Sequence, residues 1–368
     1  MTVACSFRWL DVRLSGMQFL GMREETRYIS AADGHPLALT RLRPPDLVSE
    51  RLPLENVPGA PPPGAQVFLL IHGFAQNRRT FTTSAFTSGL LGRGAHVFVG
   101  ELRGHGLSRR PEDGRSNWRL GTLLNFDLPA LVEAVATEVA DAPLHLVGHS
   151  LGGILGYAFL ARRPRLRSLI TFAAPVLIGG GQDLFRFLSI TLGAMLGACP
   201  RQVPMDRLLR RVAGPLVSRH PGPLALGLQW LTGLVNPQAL DPDAGRAVLS
   251  ACDPESPALI RELARMAVTR STVFDDLDVA ESLRKSPIPV VAVVGGRDRF
   301  APLSSVACLN EPGHAGPRLV IEMPLCAHVD VMLGASAAQA LNRIWPFSVV
   351  GGSARGPCLS EVRARDVR

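Results

Sequence analysis

Short, continuous apolar runs recur along this chain, and most of them end in a polar loop that carries glycine. The clearest are Val67–Ile71, His96–Gly100, Leu144–His149, 167–174 and 288–294, and Arg318–Met323 reads as a last strand. Runs of this length without polar alternation suit strands buried on both faces, the condition of a parallel sheet covered by helices. Segments 80–91 and 126–139 lie between them with apolar residues at helical spacing. The order strand, helix, strand, helix predicts an α/β fold with a mostly parallel central sheet flanked by helices. Ahead of it, 26–30 and 36–42 flank Asp33-Gly34 and read as an antiparallel hairpin. The stretch 44–64 is a proline-rich loop ending in Pro61-Pro62-Pro63.

The alternation lapses after Pro175. Over 176–286 the pattern predicts helical pieces at 183–196, 204–213, 223–234 and 257–270, punctuated by proline and glycine. This reads as an inserted helical cap. The dense apolar residues of 183–196 suit two roles, lining a tunnel for an acyl chain or packing the cap onto the core. Strand character returns at 288, and a helix over 335–345 closes the domain. The expected organisation is an N-terminal extension (1–22), a core built from 23–175 and 287–349, the cap (176–286) and a flexible tail (350–368).

Composition narrows the function classes. With 368 residues, 46% of them hydrophobic, the chain can bury a large core. The 39 Lys+Arg against 31 Asp+Glu leave a net charge of +8, but the arginines fall singly or in pairs such as Arg78-Arg79, and aromatics are only 6%. No nucleic-acid-binding stripe results, and the excess reads as a solvated basic surface. Six cysteines lie far apart without metal-ligand spacing, so reduced thiols are expected, with no metal and no other cofactor. Arg8, Asp11 and Arg13 interrupt the apolar positions of 1–22, so no signal-peptide core forms. No other stretch reads as an integral membrane span. These readings point to a cytoplasmic protein. Phe7, Leu10, Leu14 and Met17 keep helical spacing, which leaves a short amphipathic helix or a loose extension open there.

Candidate chemistry centres on Gly148-His149-Ser150-Leu151-Gly152-Gly153, where a buried strand meets a helix through a sharp turn. A serine at the tip of such a turn stands clear of the sheet, and flanking glycines remove the Cβ atoms that would clash. The next residue opens a helix, so the Leu151 N–H is an unpaired donor beside the positive end of the dipole, suited to an oxyanion. The pattern G-x-S-x-G also arises by chance in a chain with 36 glycines. The strand before it and the helix after it separate the two readings. After Val67–Ile71, Gly73 permits a tight turn, which makes the Phe74 N–H the candidate second oxyanion donor, with His72 bracing the turn. Asp298 and His328 each follow a later strand, and open α/β sheets place their sites at that edge. Asp330 is the rival acid, although two residues from His328 it is better placed to hold the loop. Cys326 reads as a small packing residue.

Together these segments resemble the α/β-hydrolase superfamily: His72-Gly73-Phe74, Arg103-Gly104-His105-Gly106-Leu107-Ser108, Gly148-His149-Ser150-Leu151-Gly152-Gly153, Gly296-Arg297-Asp298-Arg299-Phe300-Ala301-Pro302 and Ala327-His328-Val329-Asp330. The glycine-rich second segment has the composition of a phosphate loop but lacks a P-loop lysine. Within the superfamily the opening hairpin and the segment 328–334 are loosely similar to the acid lipase branch, whose elbow has Gln and Gly-Thr where this chain has Leu151 and Gly152-Gly153. The resemblance implies a serine esterase or lipase with Ser150 as nucleophile, His328 as base, Asp298 as its orienting acid, and Phe74 and Leu151 as the oxyanion hole. Its partner is a small-molecule ester with an apolar acyl group. The same constellation serves acyl transfer, carbon–carbon hydrolysis, cofactor-free halide oxidation and ligand binding on a hydrolase fold. Those alternatives stay open at the level of sequence.

Overall fold

The computed structural model describes residues 22–44, 66–109, 117–139, 142–178, 202–213, 233–236, 249–333 and 335–349, with Gly193, Met195 and Ala198 as isolated positions. Ten strands are present among them: β1 Arg23–Ser30, β2 Pro36–Arg43, β3 Val67–Ile71, β4 His96–Gly100, β5 Leu144–His149, β6 Ser168–Phe172, β7 Val273–Phe274, β8 Leu277–Asp278, β9 Val290–Gly295 and β10 Arg318–Met323. Eight form one sheet in the order β1-β2-β4-β3-β5-β6-β9-β10, and β7 pairs only with β8. The opening hairpin is antiparallel and β2 joins β4 antiparallel, whereas every later pairing is parallel. The chain thus has the α/β-hydrolase fold that the alternating pattern predicts.

Burial explains the apolar runs. Every residue of β3, β5, β6 and β9 is buried, because helices cover both faces of the sheet. Successive side chains of one strand go to opposite cores. Val67, Leu69 and Ile71 join the side packed by helices α2 (Leu128–Val139) and α3 (Leu151–Phe159), while Phe68 and Leu70 join the side packed by α1 (Ala85–Leu91) and α7 (Ala335–Val349). Removing one large side chain such as Phe68 from either core would cost about 3–5 kcal/mol.

Two helices differ from the periodicity. The single helix expected over 80–91 is two pieces, Arg79–Thr82 and α1. Ser84 leaves helical geometry (φ −87°, ψ 133°) and its Oγ accepts the Phe86 N–H, capping α1 afresh. The closing helix α7 runs on to Val349, with Pro346 inside it. The helical run Leu120–Val139 is long and apolar enough to cross a membrane. Here it is a core helix, with Leu128, Leu131, Val135 and Val139 buried against the sheet side.

Within 176–286 the described helices are α4 (Met205–Ala213), α5 (Pro257–Thr269) and α6 (Val279–Lys285). The helix expected over 183–196 falls outside the described residues except for Gly193 and Met195, the latter 68% exposed. Of the piece 223–234, Gly233 and Leu234 are described and are not helical. Helix α6 carries Val279 and Leu283 into the core that also holds Leu155 and Tyr157 of α3, so this part of the segment packs under the sheet's own layer.

Candidate active site

Ser150 occupies the gap between β5 and α3 with φ 48° and ψ −112°. A side chain in this backbone region costs on the order of 1–3 kcal/mol, so the turn persists only because its surroundings enforce it. A Cβ on Gly148 would lie 2.4 Å from the Gly152 carbonyl carbon, and one on Gly152 would lie 2.3 Å from the Ile71 carbonyl oxygen. Only glycine lets strand and helix approach this closely. The Ser150 N–H donates to the Phe172 carbonyl at 2.8 Å, and its own carbonyl accepts from Gly153 and Ile154. Among the described residues no acceptor takes the Leu151 N–H, which stands at the first position of α3, on the positive end of the dipole.

The loop after β3 presses against this elbow. A Cβ on Gly73 would meet His149 Nδ1 at 2.8 Å and Ser150 Cβ at 3.1 Å. The Phe74 N–H has no acceptor among the described residues. Its neighbours do: the Gly73 N–H donates to Gln76 Oε1 at 3.0 Å and the Ala75 N–H to Glu255 Oε2 at 2.9 Å. His72 braces the turn from behind, its Nδ1 donating to the Gly73 carbonyl at 3.0 Å while the Leu102 N–H donates to Nε2 at 3.0 Å. Burial, with His105 nearby, pushes its pKa down to about 3, so it remains neutral.

Asp298 and His328 arrive from the ends of β9 and β10. His328 Nε2 lies 3.0 Å from Ser150 Oγ, and His328 Nδ1 lies 2.8 Å from Asp298 Oδ2. Asp298 is 3% exposed and His328 8%. The Phe300 ring packs tilted against the imidazole at 5.1 Å between centroids, and the His149 ring lies at 5.3 Å. The structure therefore brings Ser150, His328 and Asp298 into one hydrogen-bonded line, with the Leu151 and Phe74 loops beside the serine. Such a line can move a proton from a hydroxyl to an imidazole and hold the resulting cation.

Asp330 points away from that line. Its Oδ1 accepts the Asn236 N–H at 2.9 Å and its Oδ2 the Ala327 N–H at 2.8 Å. Burial raises its pKa to about 6 against the pull of these bonds. The histidine loop is further held by segment 233–236, whose Gly233 and Leu234 carbonyls accept the N–H groups of His328 and Val329.

The glycine-rich loop 103–108 has its N–H donors already taken within this chain, those of Gly104, His105 and Ser108 by backbone carbonyls and those of Arg103, Gly106 and Leu107 by carboxylates. Arg103 pairs with Asp127 and Asp33, the Gly106 N–H donates to Asp253 Oδ2 and the Leu107 N–H to Glu101 Oε2. A phosphate reading has nothing left to bind with. Cys326 is buried and free, as a packing residue should be.

Sequence reasoning missed several residues around the site. His149 is buried between elbow, oxyanion loop and histidine loop, one ring nitrogen 2.8 Å from Gln76 Oε1 and the other 3.1 Å from the His328 carbonyl, and as a neutral ring it donates to one of these acceptors only. Burial pushes its pKa down to about 3. Glu255 and Asp253 reach the loops after β3 and β4 from the segment between α4 and α5. A position directly before the serine was a signal for His149. Nothing local distinguishes Glu255 from a solvated carboxylate ahead of a helix.

A serine on a strand-to-helix elbow, with histidine and aspartate at the ends of later parallel strands, defines a protein of the α/β-hydrolase class. The chain belongs to the alpha/beta hydrolase family, whose model matches residues 68–344. Among curated proteins it is similar to the pimeloyl-[acyl-carrier protein] methyl ester esterase of Neisseria meningitidis. The serogroup C enzyme is 30% identical over 227 residues, covering 59% of this chain and 75% of the relative. The serogroup A enzyme is 28% identical over 290 residues, 77% of each chain. Lipase member N of Mus musculus is 25% identical over 165 residues, 42% of this chain and 38% of the lipase. Among solved structures, a hydrolase from Pseudomonas aeruginosa PA01 superposes with a TM-score of 0.56 at 20% identity, covering 89% of this chain and 98% of the other. An esterase from Thermogutta terrifontis superposes with a TM-score of 0.54 at 18% identity, covering 88% and 98%. At these identities the likeness speaks for the fold.

Proposed function

We propose that this protein hydrolyses carboxylic esters of apolar acyl groups through an acyl-enzyme on Ser150. The observation that carries the reading is the line Ser150 Oγ, His328 Nε2, His328 Nδ1, Asp298 Oδ2, with steps of 3.0 and 2.8 Å. Ser150 Oγ attacks the acyl carbon while His328 Nε2 takes its proton. The negative charge that develops on the carbonyl oxygen is held by the N–H groups of Leu151 and Phe74, each such donor being worth ~3 kcal/mol of barrier. Asp298 orients the ring and stabilises the imidazolium. His328 then gives its proton to the leaving alcohol, and a water activated by the same nitrogen releases the acid, restoring Ser150. The exposed edge of Phe300, 38% accessible beside His328, offers apolar surface for the acyl chain.

The Neisseria relatives are named for a methyl ester on a carrier-bound acyl chain, which is one member of this substrate class. The test is hydrolysis of two ester series, p-nitrophenyl and methyl, over short to long acyl chains, beside Ser150→Ala. Activity that peaks at medium or long chains and vanishes in Ser150→Ala is the expected result. Equal activity in both proteins would overturn the assignment of the nucleophile.

A further inference from the structure

Glu255 is fully buried, yet its carboxylate accepts four hydrogen bonds. Trp118 Nε1 at 3.0 Å and the Ser256 N–H at 2.8 Å donate to Oε1, while the Ala75 N–H at 2.9 Å and His105 Nε2 at 3.1 Å donate to Oε2. Burial alone would keep this group neutral, but His105 and the surrounding donors outweigh it and hold the pKa below the ordinary Glu value. The segment is itself anchored, since Glu255 and Val203 exchange both backbone hydrogen bonds at 2.9 Å.

Three of the four donors belong to this frame, and the fourth belongs to the oxyanion loop. The Phe74 N–H sits on the peptide between Gly73 and Phe74, and the peptides on either side of it are pinned. The Gly73 N–H is held by Gln76 Oε1 and the Ala75 N–H by Glu255 Oε2, while the Ala75 carbonyl accepts the Asp253 N–H at 2.8 Å. Ala75 has φ 54°, a left-handed conformation that a residue with a Cβ keeps only where its partners impose it. Without the Glu255 bond, the Phe74–Ala75 peptide relaxes toward ordinary backbone geometry and turns the Phe74 N–H with it.

We infer that Glu255 is a positioning residue for the oxyanion hole: from the inserted segment it holds the Phe74–Ala75 peptide so that the Phe74 N–H faces the acyl oxygen at Ser150. The inference rests on the serine-hydrolase reading above. Glu255 acts through Phe74 and touches no substrate. Its effect therefore falls on the transition state, where the oxyanion exists, and spares ground-state binding.

The experiment compares wild type, Glu255→Gln, Glu255→Asp, Ser150→Ala and, as a control that removes a different buried carboxylate, Glu262→Gln, which accepts only the Leu120 N–H among the bonds described. Three quantities are read: kcat per serine titrated with a fluorophosphonate, KM for a p-nitrophenyl ester, and affinity for an alkylboronic acid, whose tetrahedral adduct on Ser150 places an oxygen in the oxyanion hole. In Glu255→Gln, kcat per titrated serine is expected to fall at least tenfold, boronate affinity to fall by the same factor, and KM to stay within twofold. Glu255→Asp keeps the charge beside His105 but shortens the reach to Ala75, and it carries the same test if the Gln variant does not fold. Glu262→Gln is expected to change none of the three. A lower melting temperature or titratable fraction with kcat per serine and boronate affinity unchanged would overturn the inference and leave Glu255 as framework. Full activity in Ser150→Ala would instead overturn the serine-hydrolase reading, and the inference with it.

Discussion

Asp298 reaches His328 with one oxygen only: Oδ2 lies 2.8 Å from Nδ1, while Oδ1 accepts the backbone N–H groups of Phe300 and Ala301 at 2.8 and 2.9 Å. The two backbone bonds fix the carboxylate's rotation, and the free oxygen then selects the tautomer with hydrogen on Nδ1 and a lone pair on Nε2 facing Ser150. In Asp298→Asn the two backbone donors still demand an oxygen, so the amide NH2 turns toward Nδ1 and moves the ring proton to Nε2. The expected outcome is a fall in kcat of roughly 10⁴-fold with KM and melting temperature nearly unchanged. Steady-state kinetics beside thermal unfolding checks it.

Strain at the elbow predicts a split between activity and stability. Ser150→Gly and Ser150→Ala both remove the hydroxyl, but only glycine is at ease at φ 48°. The Gly variant is expected to be more stable than the Ala variant by about 1–2 kcal/mol, even after the entropy that glycine adds to the unfolded chain. Denaturant unfolding of the pair measures the difference. An Ala variant as stable as the Gly variant would mean the turn holds no strain.

Asp330 and Asp298 are distinguishable as acids. Because Asp330 bonds to backbone N–H groups and not to the imidazole, Asp330→Asn is expected to retain kcat within about tenfold. Its signature is in stability. Burial places the folded pKa at about 6 against an ordinary value of 3.8, so between those values the folded state binds more protons and this group's contribution is lost as pH rises. The Asn variant loses one acceptor bond at pH 4 and is expected to close the gap with wild type above pH 6. Urea midpoints across that range report it.

Four histidines work in the opposite sense. Burial pushes His72, His145 and His149 down to about 3 and His96 down to about 4, from an ordinary 6.5. Below 6.5 the unfolded chain binds protons that the folded state refuses, so these groups lower stability as pH falls, by up to about 1.4 kcal/mol per pH unit for each of the buried His72, His145 and His149 and by less for the half-buried His96. Buried carboxylates whose pKa burial raises, Asp330 among them, act against these histidines as pH falls, so the contribution of one histidine is read from a single-site variant. His145 contacts Ser168 and Gln66, away from the candidate triad, and His145→Gln should flatten the pH dependence by about one proton while leaving kcat unchanged. An unaltered slope would mean His145 is charged in the fold.

Much of this architecture was legible because it repeats. A parallel strand buried on both faces is mostly apolar, so β3, β5, β6 and β9 announce themselves, and their carboxyl ends all reach one edge of the sheet. Ser150 follows β5 directly, and Asp298 and His328 lie within a few residues of the ends of β9 and of the edge strand β10, which is why strand order pointed to residues that the fold brings together. The break before α1 was harder to see. Ser84 has the chemistry of a cap, but the apolar spacing of 80–91 continues through it, and only packing decides which signal prevails.

By itself the sequence determined the layers, the strand-to-helix elbow and the candidate triad, since each depends on residues adjacent in the chain or on hydrophobic period. Tertiary structure alone decided which polar groups hold that site in shape. Glu255 meets Ala75 across 180 positions, and His149 meets the His328 carbonyl across 179. A buried carboxylate or imidazole is told from a solvated one by the donors and acceptors that surround it after folding. Those partners come from distant segments, and no local pattern records them.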